Sequence, residues 1–315
     1  MDLKELKIAK AELKEAIAKQ DWPQVARIIG DPVDPRNDVV PVIGMVADIE
    51  SPATPDEYLF YFDTDEDTKY VYTLATGGTV TGVDVTVGAP SAITFVSIVS
   101  PVYNIHIVDL NNAKFDVIGK KKQAITRAMD NRETHDVLNL LWAGTPVGNQ
   151  FTLDSADTYL NFPKLLEMLN AVSAYGDKYV LITGSTVDDD IILTDYNENK
   201  NQSVLAMMDR LNIQKIKVTG QYTDASTTNV IWPATQAVLV ATSTQVGKPV
   251  SFGRKQLVPG TVISEEQDAK LRLTSVVPII PKNAEKPSVG VWGYGEFQAV
   301  LKNSSAVARF SRAWV

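Results

Sequence analysis

Lys120-Lys-Lys-Gln-Ala-Ile-Thr-Arg-Ala-Met-Asp-Asn-Arg-Glu-Thr-His-Asp-Val-Leu-Asn-Leu-Leu-Trp142 decides the fold class of this 315-residue chain. Ile125, Ala128, Met129, Leu138, Leu141 and Trp142 recur at helical spacing along one side. Gly144 and Pro146 supply the stop signals. The spacing predicts a helix over 120–142, roughly 35 Å long at 1.5 Å per residue. Its middle, Asp130-Asn-Arg-Glu-Thr-His-Asp136, is polar. A long helix of that pattern is expected to lie half exposed across a sheet and not inside a bundle.

Downstream, residues 155–250 read as a mixed α/β unit. Asp157 or Asn161 is placed to cap a helix with Pro163 in its first turn and Leu165, Leu166, Met168, Leu169 and Val172 on its apolar side. Tyr175-Gly176-Asp177 ends that helix, and Lys178–Gly184 is a buried-strand run. A helix over about 202–211 follows, then strands at 215–219, 235–241, 249–258, 271–280 and 289–301.

Upstream, residues 57–110 are rich in Val, Thr, Tyr, Phe and Ile between glycine turns, the pattern of four to five strands. Residues 79–87 alternate strictly, as a strand with one wet face does. Residues 31–55 hold five prolines, which exclude helix and favour an extended arm lying on another surface. Leu3, Leu6, Leu13 and Ile17 predict a thinly amphipathic helix over 3–20, and a short one is placed at 23–29.

The formal charge is −8, with 30 Lys and Arg against 38 Asp and Glu. That balance argues against wholesale phosphate binding. Cysteine is absent, which removes disulfides, thiolate zinc sites, iron–sulfur clusters and Cys nucleophiles. Only His106 and His135 are available as imidazoles. No stretch reaches the ~18 apolar residues of a membrane helix.

No motif builds a catalytic, cofactor or metal site. Asp63-Thr-Asp65-Glu-Asp67 opens like a calcium loop, but the sixth and twelfth positions are Thr68 and Leu74 where glycine and glutamate are required. It reads as a solvated acidic turn, with weak divalent binding at a subunit contact as the alternative. Asp188-Asp-Asp190 follows Thr183-Gly-Ser-Thr, without the Gly-Lys-Ser/Thr of a phosphate loop. Ser185 and Thr186 are expected to cap a helical turn whose first residues are those aspartates. Gly290-Val-Trp-Gly293-Tyr-Gly295 lies among strand residues and reads as close backbone packing, not a phosphate cradle. His106 sits in an alternating strand and His135 in mid-helix, neither beside a nucleophile motif. Lys120–Lys122 read as a solvated face or a bridge to a neighbouring subunit.

The order of these segments resembles tailed-phage major capsid proteins of the Hong-Kong-97 type and, more distantly, encapsulin shell proteins. Pro163–Tyr175 with Lys178–Gly184 resembles the opening of that family's axial domain, and Asn229–Ala241 its proline-alanine step into an apolar strand. Gly247–Arg254 and Val291–Asn303 resemble its closing strands. The resemblance implies an α+β fold with an N-terminal arm at 1–50, an extended β-hairpin loop at 51–100, and a spine helix at 120–143 within a first peripheral part at 101–154. It further implies an α/β axial domain at 155–245 and a second peripheral part at 246–315.

The implied function is a major capsid protein that assembles into an icosahedral shell around a phage's double-stranded DNA, without catalysis, cofactor or metal. Its partners would be itself, in pentamers and hexamers, with separate scaffolding, portal and decoration proteins. DNA would be contacted weakly and membranes not at all. The place would be the virion, assembled in the host cytoplasm. Some members crosslink through Lys and Asn; Lys69, Lys302 and Asn303 are present, but nothing pairs them. The alternatives are an encapsulin-like compartment and a metal-dependent α/β enzyme using Asp188, Asp189 and Asp190.

Overall fold

The computed structural model describes residues 42–50, 59–60, 91–92, 95–106, 117–153, 159–197, 204–224, 227–243, 247–255, 257, 264–267, 272–279 and 288–312. The helices expected at 3–20 and 23–29, the strand at 79–87 and the acidic turn at 63–67 lie outside the described residues. In chain order the elements begin with α1 (Ile43–Val46), β1 (Ala47–Glu50), β2 (Leu59–Phe60), β3 (Ser91–Ala92), β4 (Val96–Val99), β5 (Tyr103–His106) and α2 (Val117–Gly144). Then come β6 (Gln150–Thr152), α3 (Phe162–Val172), β7 (Lys178–Thr183), α4 (Ser185–Asn197), α5 (Val204–Arg210), β8 (Ile213–Lys217), β9 (Gln221–Asp224), β10 (Thr227–Val230) and β11 (Gln236–Thr242). The chain closes with β12 (Val250–Arg254), β13 (Ser264–Gln267), β14 (Leu273–Ile279), β15 (Ser288–Leu301) and β16 (Val307–Ser311).

Five strands form a sheet of order β6-β16-β11-β7-β8. β11 is antiparallel to β7 and β16, while β7–β8 and β16–β6 are parallel. Both faces are covered, so β7 and β11 are continuous apolar runs and not alternating ones. Leu181, Leu239 and Phe310 pack with Leu165, Met168, Val187, Ile191, Val204 and Met208 of the three helices on one face. Val180, Ile182, Val238 and Val240 pack on the other with Val137, Leu138 and Leu141 of α2. Asn161 caps α3, its Oδ1 accepting the Lys164 N–H at 3.0 Å, and Pro163 stands in the first turn.

Two expectations need correction on this side of the molecule. The stretch from Ser185 is not a single turn but a 13-residue helix. Its N-terminus is satisfied by the Ala234 carbonyl, which accepts from Thr186 N–H (3.0 Å) and Val187 N–H (3.3 Å). Gly184 permits that approach, because a Cβ there would stand 2.1 Å from the Pro233 carbonyl oxygen. Helix also occurs inside the proline-rich stretch: α1 uses the proline-free interval after Pro41, and Val42, Ile43 and Val46 are buried in the core.

The second sheet runs β1-β12-β15-β14-β13, with β4 and β5 also on β15. β15 is its 14-residue axis. β14 pairs with residues 288–294 and β12 with 297–301, while β5 and β4 take 288–291 and 294–297. α2 has 28 residues, about 42 Å, and crosses this sheet. Its first half packs Ile125 and Met129 against Val291. Its second half enters a core shared by both sheets, with Phe252, Phe297 and Trp232. Gly293 fits under the helix; a Cβ there would meet the Ile125 side chain at 2.5 Å.

Four residues of the polar middle of α2 are buried, where the half-exposed reading expected a solvated stretch, and Arg132, His135 and Asp136 remain partly exposed. Asp130, Asn131, Glu133 and Thr134 are all buried, Glu133 to 1% exposure. Two arginines distant in sequence, one ending β12 and one just before β14, reverse the expectation. Arg254 meets Glu133 at 2.6 Å, and Arg272 meets Asp130 at 3.0 Å and Glu133 at 4.0 Å. Burial of such charges is tolerable only when they are paired and hydrogen-bonded. Asn131 donates to the Gln221 carbonyl and Thr134 to that of Asp130, which satisfies the neighbouring polar groups.

Candidate functional site

Consecutive residues on a helix do not face one another, and Asp188, Asp189 and Asp190 diverge accordingly. Asp188 turns to β8, 2.7 Å from Lys215 and 3.1 Å from Lys217. Burial pushes its pKa up, but hydrogen bonds and charge from the two lysines outweigh this and hold the carboxyl below its ordinary range. Asp189 points outward, 3.3 Å from Lys217. Asp190 is buried beside Arg312 at 3.2 Å and accepts the Leu160 N–H; burial nevertheless keeps its pKa raised. The triad expected of the enzyme alternative does not converge. Among the described residues no group of three His, Asp or Glu side chains fits a metal ion.

His135 packs 4.5 Å from the Tyr222 ring, donates from Nδ1 to the Ile231 carbonyl, and accepts at Nε2 from Asn139. It ties the β9–β10 hairpin to α2 as a packing histidine. His106 lies in β5 opposite Ser288. Lys121 rests 3.7 Å above the Tyr103 ring. Gly290–Gly295 lie in β15, where Gly293 and Gly295 admit α2 and Arg272. Lys302 binds Asp48 at 2.9 Å, and Asn303 accepts the Ser305 N–H. Lys69 lies outside the described residues.

The structure adds a feature that no sequence motif announced. A cleft of ≈ 670 Å³ opens between β4, the first half of α2 and β9. Ile98, Ile125 and Met129 make it apolar, and Arg127, Arg132 and Asp136 stand among its lining residues. Val96, Val99 and Val102 leave about half of their surface exposed beside it, Val99 reaching 59%. Exposed apolar clusters of this kind mark contact surfaces. The available signal was the run Val96-Ser-Ile-Val99-Ser-Pro-Val102, which is too apolar for a solvated edge.

No protein-family profile matches the chain, and no curated protein matches it. Solved structures do. A structure from Gordonia phage Cozz is 13% identical with a TM-score of 0.54, over 87% of each chain. The capsid of Cyanophage P-SCSP1u is 11% identical with a TM-score of 0.51, over 82% of this chain and 83% of that one. The holo-SrpI encapsulin complex from Synechococcus elongatus PCC 7942 is 12% identical with a TM-score of 0.51, over 91% and 93%. A β15-centred sheet crossed by one long helix, joined to a helix-covered five-stranded sheet across most of the length of such chains, is the Hong-Kong-97-type capsid fold, and this chain has it.

Proposed function

We propose that the chain is a major capsid protein whose copies close into an icosahedral shell around the double-stranded DNA of a tailed phage. The observation that carries this reading is the likeness, over more than four fifths of the chain, to the capsid of a cyanophage and to a structure from a second phage. Residues 1–50 are assigned as the arm, 51–100 as the extended loop, 101–154 and 246–315 as the peripheral domain, and 155–245 as the axial domain. The inward-tied or diverging side chains described above favour a structural role over catalysis. Half-exposed valines beside a cleft suit a subunit that buries surface on its neighbours, and identical contacts close into symmetric shells.

Scaffolding, portal and decoration proteins are the further partners of this reading, and the virion, assembled in the host cytoplasm, is its place. The encapsulin match supports a second reading, a protein compartment around an enzyme cargo. Negative-stain microscopy of the expressed chain tests both: closed particles are expected, and persistent monomers would refute them. Nuclease-protected DNA in particles from the native source favours the phage shell. DNA-free particles loaded with one enzyme favour the compartment.

A further inference from the structure

We infer that Asp48, Lys248 and Lys302 form a clasp, and that the segment 42–50 is a latch that opens as a unit of its own when the clasp is undone. The inference does not depend on the shell reading. α1 has four residues, far fewer than a helix needs to hold itself. β1 is the edge strand of its sheet and pairs in parallel with β12 over four positions, a pairing slightly weaker per residue than an antiparallel one. Burial of Val42, Ile43, Val46 and Ala47 in the shared core supplies the apolar attraction.

The polar tie is Asp48. Its Oδ2 accepts the Lys248 N–H at 3.1 Å and a hydrogen bond from the Lys302 ammonium at 2.9 Å. The Lys248 ammonium reaches the opposite way, donating to the Gly44 carbonyl at 2.6 Å and to that of Ala47 at 3.3 Å. A cation thus sits on the carbonyls at the C-terminal end of α1. The two jaws are tied to each other. Lys302 and Asn303 both donate their N–H groups to the Pro249 carbonyl, at 2.7 and 3.2 Å, which joins the turn before β12 to the end of β15. Gly247 in that turn has φ +85°, and a Cβ there would stand 2.8 Å from the Asp48 Oδ2. Glycine alone gives both the backbone angle and the room for the carboxylate. Charge-assisted hydrogen bonds are the strong ones, and short edge segments are the units that open locally below global unfolding. Closed, the clasp keeps the apolar side chains of α1 inside the chain; open, it releases them to solvent.

Segment-resolved hydrogen exchange of the full-length, unassembled chain at pH 7 tests this. Met45, Val46 and Ala47 donate their N–H groups within the segment and report its opening. Asp48→Ala is expected to speed their exchange roughly tenfold, with β7 and β11 unchanged. Gly247→Ala alters no charge and should give the same local rise by crowding the carboxylate out of the clasp. Asp48→Asn keeps an oxygen for the Lys248 N–H and should fall between the native chain and Asp48→Ala. Unchanged exchange at these amides in both Asp48→Ala and Gly247→Ala overturns the clasp. A rise in β7 and β11 equal to that at 45–47 overturns the separate latch, because the segment then opens only with the whole fold. Particle formation tests the shell reading separately from either result.

Discussion

Asp188 and Asp190 are two residues apart on α4 and respond to pH in opposite senses. For Asp188, Lys215 and Lys217 lower the folded pKa below the unfolded value of about 3.9. The folded state then binds fewer protons, so the stability Asp188 contributes is complete above about pH 5 and is lost as pH falls through the folded pKa. Asp190 has its folded pKa raised by burial, so its ionisation weakens the fold as pH rises. Asp188→Asn is therefore expected to lower the urea midpoint at pH 7 and to flatten its fall between about pH 5 and pH 3; an unchanged acid limb would contradict the pairing. The sequence showed three adjacent acids and their strand-to-helix setting. It did not show their directions, because the lysines that orient Asp188 come from β8, the strand paired with β7, 27 and 29 positions later.

For whole elements, sequence reading succeeded where signals are local. Asn161 and Pro163 announced α3, Gly144 announced the end of α2, and the glycines of β15 announced close backbone approach. It failed in the middle of α2, where the deciding partners are Arg254 and Arg272, more than 120 positions away from Glu133 and Asp130. Arg272 between Leu271 and Leu273, and Arg254 two positions after Phe252, were the available hints. The four charges now define how helix and sheet meet. Glu133→Ala removes the buried carboxylate that pairs with Arg254, leaves Arg272 on Asp130, and is expected to cost about 3–5 kcal/mol. Glu133→Leu with Arg254→Met removes charge from both sides and should cost much less than the sum of the single replacements. Equal, additive costs in urea denaturation would mean the pair is not coupled.

In the molecule as a whole, the apolar core ignores the boundary between the sheets. Val42 and Val46 of α1, Leu138 and Leu141 of α2, Val238 and Val240 of the five-stranded sheet, and Phe252 and Phe297 of the other belong to one cluster. Trp142 and Trp232 meet within it, ring centroids 5.6 Å apart. Arg309 closes the end of α2 by donating to the Trp142 carbonyl at 3.0 Å, placing a cation at the helix C-terminus. Because the same side chains stabilise both sheets, unfolding of the unassembled chain is expected to be a single transition. Tryptophan fluorescence and far-ultraviolet dichroism should then coincide, and two separated midpoints would show that the sheets are independent. The sequence divided the chain into successive parts; the shared core joins segments too distant for any local pattern to reveal.

The separation between α2 and its counter-charges also orders events during synthesis. Arg272 leaves the ribosome 142 positions after Asp130, roughly 7–30 s later at ordinary elongation rates. Through that interval the nascent helix displays two carboxylates that resist burial against any apolar surface. The middle of the helix is therefore expected to seat only after Arg254 and Arg272 have been made, so that a later part of the polypeptide fixes the centre of an earlier strut.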